Sequence, residues 1–113
     1  MRPREFRQTR ESQNQLVLDK ANLQIKRFFN LDTAAYSEGA LDAATKEMLG
    51  LACSMVLRCD DCVRYHLDQC HNLGVSDAAL QEVMNIALVV GGSIVIPHLR
   101  RAFEYWDELQ REG

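Results

Sequence analysis

Apolar and polar positions along the chain recur with the spacing of helices rather than strands. From Leu18 the positions Leu18, Ala21, Ile25, Phe28 and Phe29 fall on one helical face, so an N-terminal helical region is placed at 13–35, with its periodic part ending near Phe29. The stretch NLDTAAYSEGALD that follows reads as a loop. Asp42 is placed to cap a second helix, whose inward stripe is Met48, Leu51, Ala52, Met55 and Val56. A cysteine-rich segment comes next, and Gly74 is expected to stop it as a C-terminal cap. Ser76 should cap another helix, with Leu80, Val83, Ile86, Ala87 and Val90 inward, until Gly91 and Gly92 interrupt it. In the last helix Ile96, Leu99, Phe103, Trp106 and Leu109 form the buried stripe, and Pro97 is compatible only with its first turn. No stretch of five or more residues alternates with period two, and no internal repeat is visible. The expected fold is therefore all-α, a compact bundle of about five helices.

The first twelve residues break this regularity. They hold four arginines and two glutamates with little apolar material, and read as a polar arm that is either mobile or docked on a partner. At 113 residues the chain suffices for one domain, 1–113, of modest burial, and oligomerisation is expected to complete it.

Composition narrows the function. A net charge of −3 with no basic stripe argues against a nucleic-acid partner. The most apolar stretch, IALVVGGSIVIP, is interrupted by Gly91, Gly92 and Ser93. It falls well short of the roughly 20 residues needed to span a bilayer, so no membrane partner is expected. MRPREFRQTR has charge but no apolar core of the kind a secretory signal carries. The expected location is the cytoplasm, where a CxxC more often means metal or redox chemistry than a structural disulfide.

The candidate chemistry lies in RCDDCVRYHLDQCHNLG, residues 58–74, which contains three of the four cysteines and two of the three histidines. Cys59, Cys62, His66 and Cys70 are soft ligands of the kind zinc takes. On one continuous helix, however, Cys59 and Cys70 would stand roughly 16 Å apart along the axis, too far for a shared ion, and no metal is expected. Redox chemistry suits the spacing better. Residues i and i+3 of a regular helix have Cβ atoms about 5–6 Å apart, against about 3.8 Å in a relaxed disulfide, so a bond between Cys59 and Cys62 would be strained and easily reduced. His66, one turn past Cys62, is positioned to act as its base, and Arg58 adds a positive charge. Asp60 and Asp61 oppose a thiolate unless they turn towards the helix N-terminus or to solvent. Cys53 and Cys70 have no such partners and read as packing residues.

These residues resemble the carboxymuconolactone decarboxylase and alkylhydroperoxidase D-like superfamily. The likeness runs from about Leu41 to Ala102, through KEMLGLA, CDDCVRYH, HNLGVSDAALQEVMNIA and GGSIVIPHLRRA. Redox members of that family carry a glutamate eleven intervening residues before the first cysteine, and Glu47 stands at that place, in step with Cys59, Cys62 and His66. Asp61 stands where some peroxidase members have a further histidine, so a relay through that imidazole is absent. The resemblance implies an all-helical protomer assembled as trimers or hexamers, with Glu47 and His66 relaying protons to a cysteine of a dithiol held in a pocket. It also implies a catalytic set of Cys59, Cys62, His66 and Glu47 with no cofactor.

The expected activity is that of a thiol oxidoreductase that reduces hydroperoxides or passes electrons to a separate peroxidase. A thioredoxin-like or lipoyl dithiol would serve as reductant, and Cys62 is the expected nucleophile. Two other classes are carried beside it. One is a non-redox lyase or isomerase acting on a lactone, using His66, His98 and Glu47 as acid and base; the other is a non-catalytic binding or assembly module.

Overall fold

A computed structural model describes residues 2–112. Among them are six α-helices and no strand: α1 (Pro3–Lys20), α2 (Leu23–Ala35), α3 (Ala43–Val56), α4 (Asp60–Asn72), α5 (Asp77–Gly91) and α6 (Ile96–Glu112). A short 3₁₀ turn, Ser93–Val95, joins the last two. The all-α expectation holds, with one helix more than the apolar spacing suggested.

The additional helix is α1. The segment read as a polar arm begins a helix with Pro at its first position, where the missing N–H costs nothing. It is docked within the chain itself, with Pro3 and Phe6 buried and the Phe6 ring edge-on to Tyr105 of α6 at a centroid distance of 5.9 Å. Arg7 adds a contact to Asp68 of α4, and the two buried residues are too few to show as periodicity. The helix expected to run through Ala21 breaks there instead. Asn22 caps α2, its side chain accepting from Ile25 N at 3.1 Å, and α2 continues to Ala35, into what read as loop.

The later elements follow their local signals. Asp42 and Ser76 are the N-caps of α3 and α5, accepting from Thr45 N at 2.7 Å and Ala79 N at 3.1 Å. Gly74, at φ 77°, ends the α4 segment in the left-handed region that favours glycine. Pro97 lies in the first turn of α6.

The core joins α3 to α4 and α5, and α4 to α6. Leu51, Met55, Leu67, Cys70, Ala87 and Val95 are wholly buried in it. Burial of each larger aliphatic side chain contributes about 1.5–3 kcal/mol. The register of the stripes differs from expectation at several positions. In α5 it is Met84 that is buried beside Leu80 and Ala87, while Ile86 and Val90 are exposed. In α6 Ala102 and Tyr105 are buried and Phe103 is exposed. Helix α2 buries no residue, and its Leu23, Phe28 and Leu31 are exposed. No helix among the described residues is long and apolar enough to cross a membrane.

Candidate functional site

The site is made by a reversal of the chain between α3 and α4. Helix α3 ends at Val56, and the next three amides turn back on it: Leu57 N donates to Cys53 O at 2.9 Å, Arg58 N to Met55 O at 3.0 Å and Cys59 N to Ser54 O at 3.0 Å. Carbonyls that a helix end leaves unpaired are thereby satisfied. Arg58 sits at φ 59°, a left-handed conformation uncommon for a residue with a side chain. The turn sends α4 back along α3 and brings Glu47 to His66, nineteen residues apart in sequence.

Glu47 and His66 are both buried, at 5% and 7% exposure, and His66 Nδ1 lies 2.7 Å from Glu47 Oε1. A carboxylate oxygen only accepts, so Nδ1 carries the proton and donates it, which leaves the lone pair of the neutral ring on Nε2. That nitrogen faces the hydroxyl of Tyr36, 3.4 Å away, just beyond the C-terminus of α2. Burial, with the nearby charge of Glu47, pushes the Tyr36 phenol above its ordinary pKa, so it stays protonated and points a donor at Nε2. Tyr65 closes another side of the imidazole, edge-on at 5.2 Å. Its phenol is likewise raised by burial first and by Glu47 next.

Gly50 makes room for this arrangement. A Cβ there would lie 2.6 Å from His66 Cε1 and 2.7 Å from the Tyr36 hydroxyl oxygen, closer than van der Waals contact permits. Neither Tyr36 nor Gly50 is marked by local sequence. Both act through residues more than a dozen positions away, and only an aromatic beside a loop and a glycine inside a helix pattern could have drawn notice.

Cys59 and Cys62 form a disulfide at the start of α4. The regular-helix geometry expected for this pair does not apply. Cys59 is the N-cap, with φ −103° and ψ 96°, and its extended backbone sets the two Cα atoms 5.3 Å apart, within the ordinary range for a disulfide. Cys59 Sγ also accepts from Cys62 N at 3.3 Å, so the sulfurs sit where unpaired amides and the helix dipole favour negative charge. Cys59 is half-buried and Cys62 exposed. His66 lies one turn along the same helix from Cys62.

The remaining candidates separate from this group. Cys70 is fully buried, and burial, with Glu47 nearby, pushes its thiol up to about 12. Cys53, read from the sequence as a packing residue, is exposed on α3. His98 pairs with Asp60, not with His66 or Glu47: its Nδ1 is 2.8 Å from Asp60 Oδ1, and Arg101 Nε donates to Asp60 Oδ2 at 2.8 Å. The acid–base trio of His66, His98 and Glu47 required by a lactone-directed lyase is therefore split between two constellations.

Near the dithiol, a cleft of about 560 Å³ opens between α1, α2 and the start of α4. Arg10, Phe28, Phe29, Asp32, Asp61 and Tyr65 are among its lining residues, with the Arg10 guanidinium 4.0 Å above the centre of the Tyr65 ring.

Comparison with known proteins agrees with this architecture. Residues 25–105 match the model of the carboxymuconolactone decarboxylase family. A protein of Thermotoga maritima superposes in two crystal structures. One has a TM-score of 0.94 and 55% identity over 96% of this chain and 95% of that one. The other has a TM-score of 0.91 and 54% identity over 95% and 91%, and is described as a carboxymuconolactone decarboxylase family protein with a suggested involvement in antioxidative response. A Cupriavidus necator protein is 34% identical over 76 residues, 67% of each chain. A family member from Legionella pneumophila, 23% identical, shares the fold at a TM-score of 0.86 over 95% of this chain and 96% of that one. With its family model, its helical order and its fold in agreement, the chain belongs to the carboxymuconolactone decarboxylase family.

Proposed function

We propose that the chain is a thiol oxidoreductase that reduces hydroperoxides, or feeds electrons to a separate peroxidase, through Cys59 and Cys62. The observation that carries the reading is the buried pair of Glu47 on α3 with His66 on α4, the helix whose start holds the Cys59–Cys62 disulfide. The suggested antioxidative role of the Thermotoga maritima relative points the same way.

In the cycle, His66 Nε2 accepts the Cys62 proton and Glu47 holds the resulting imidazolium. The thiolate attacks the terminal peroxide oxygen; the O–O bond breaks, an alkoxide leaves and takes up the proton as an alcohol, and Cys62 becomes a sulfenic acid. Cys59 then displaces water from that sulfur and closes the disulfide. A thioredoxin-like or lipoyl dithiol returns two electrons and two protons by exchange. The cycle needs no cofactor. Cys62 is the nucleophile because it is the more exposed cysteine and lies one turn from His66.

The protomer works as a homo-oligomer, a trimer or hexamer by analogy with the family. Exposed Leu23, Phe28 and Leu31 on α2 and Ile86, Val89 and Val90 on α5 support this. A monomer by light scattering at working concentration would withdraw it.

The test of the activity is a thiol count on reduced protein before and after one equivalent of hydroperoxide. Loss of two thiols per chain, both mapped to Cys59 and Cys62 by peptide mass spectrometry, is expected. An unchanged count removes direct hydroperoxide reduction; if the oxidised pair also fails to exchange with a thioredoxin-like or lipoyl dithiol, the redox reading falls and a lyase or an assembly module is left.

A further inference from the structure

Asp60 lies between the two cysteines in sequence, at the first helical position of α4. A carboxylate there suits the helix dipole but suppresses ionisation of neighbouring thiols. The structure turns it towards α6. Arg101 Nε donates to one oxygen at 2.8 Å, and His98 Nδ1 lies 2.8 Å from the other. Since the carboxylate cannot donate, His98 Nδ1 carries the proton, and the Arg101 guanidinium approaches that nitrogen at 3.3 Å without a proton acceptor to bond. Both carboxylate oxygens are thus held by residues one turn apart on another helix.

The geometry points to Arg101 and His98 as positioning residues for the dithiol: by clamping both oxygens of Asp60 onto α6 they fix the first turn of α4 and neutralise the carboxylate next to Cys59. The inference rests on Cys59 and Cys62 being the working thiols. Burial alone would push the Asp60 carboxyl up. The hydrogen bonds from His98 and Arg101, with their charges, outweigh it and hold it below the ordinary aspartate value.

The other charges around the first turn do not replace Arg101. Asp61 is exposed and opens on the cleft that also holds Arg10 of α1 and Asp32 of α2. Arg58 is exposed in the turn, Arg64 flanks the Asp60–Arg101 contact, and on the α3 side Glu47 is engaged by His66. None of these six groups forms a hydrogen bond or ion pair with Asp60, whose partners come from α6.

The experiment measures the alkylation rate of Cys59 and Cys62 in reduced full-length protein against pH, with the peptides separated by mass spectrometry. Arg101→Ala leaves Asp60 uncompensated and should raise the midpoint of the more acidic thiol by about half a pH unit, less in high salt. Asp60→Asn leaves Arg101 uncompensated and should lower it by a similar amount. The double variant should return close to wild type, a reversal that a purely structural role would not produce. If folded Arg101→Ala and Asp60→Asn both keep the wild-type midpoint, or the double variant keeps the full shift of Arg101→Ala, the assignment is wrong. Should Arg101→Ala not fold, Arg101→Gln takes its place, with the same rise expected and an unchanged midpoint overturning the assignment. Hydroperoxide turnover is scored separately. Wild-type thiols that titrate as predicted but never consume peroxide would sink the proposed activity and leave this assignment standing.

Discussion

The two ends of α4 carry the same chemical groups in opposite conditions. At the N-terminus Cys59 and Cys62 are half-buried and exposed, next to unpaired amides, and Asp60 is held below its ordinary pKa by α6. Towards the C-terminus Cys70 is sealed in the core with its thiol pushed up to about 12. Asp68 there is also buried. It accepts from Tyr105 at 2.8 Å and from Arg7 at 3.3 Å, yet burial outweighs both and its carboxyl is raised. One helix therefore presents an accessible pair of sulfurs at one end and a sealed thiol at the other. Residue type does not set this difference: solvent access and helix polarity do.

The sharpest way to break this contrast is to remove the sulfurs one at a time. Cys59→Ser and Cys62→Ser should each lower hydroperoxide turnover by about a thousandfold or more, because resolution requires both thiols. Cys53→Ser and Cys70→Ser should keep most of it. In unmutated reduced protein Cys70 should resist alkylation at neutral pH until denaturant is added. Equal losses in all four variants would indicate that the cysteines serve folding, and the two ends of α4 would not differ in function.

A smaller effect tests the imidazole that links the two ends. His66→Ala and Glu47→Gln should slow thiol alkylation near neutral pH by about a hundredfold, equivalent to about 2.7 kcal/mol. Raising the pH should largely rescue both, as hydroxide takes over the deprotonation. Gly50→Ala should reproduce much of this loss by pushing the imidazole aside, with a stability cost of about 1–3 kcal/mol for overpacking. Unchanged alkylation midpoints in folded His66→Ala and Glu47→Gln would show that neither residue activates the thiols.

The smallest effect is on stability, and it has opposite signs at the two ends. The folded-state pKa of Asp60 is lowered, so its contribution is present above the ordinary value of 3.8 and lost as pH falls through the folded value. The folded-state pKa of Asp68 is raised, so its contribution is full below 3.8 and lost as pH rises through the folded value. Wild type should therefore exceed Asp60→Asn in Tm by more near pH 5 than near pH 2, and exceed Asp68→Asn by more near pH 4 than near pH 7. Each change should amount to about a few degrees. Thermal melts in which the two differences move in parallel would contradict the environments described for these carboxylates.

Much of this organisation is legible in local sequence. Asp42 and Ser76 as N-caps, Gly74 as a stop and Pro97 in a first turn each act through neighbours within about one turn, so residue type and spacing suffice to place them. The CxxC and the position of His66 one turn later are equally local. The docking of α1 is not legible because the helix buries only Pro3 and Phe6, too little to leave a periodic trace, and its other contacts are made by Arg7 and Arg10 with residues distant in sequence. The α5 and α6 stripes are only partly legible because exposed Ile86, Val90 and Phe103 are as apolar as the residues that are buried.

What the sequence by itself determined, then, is an all-helical chain, its caps, the dithiol and the histidine one turn beyond it, because helices are stabilised by interactions three and four residues apart. Family resemblance supplied Glu47. Only the tertiary structure decided that Glu47 meets His66, that Tyr36 faces the remaining nitrogen across Gly50, and that Asp60 is taken by His98 and Arg101 from 38 and 41 residues away. Those contacts depend on the turn at Arg58 and on how α3, α4 and α6 cross. The crossing is set by the packing of the whole core, which no local spacing encodes.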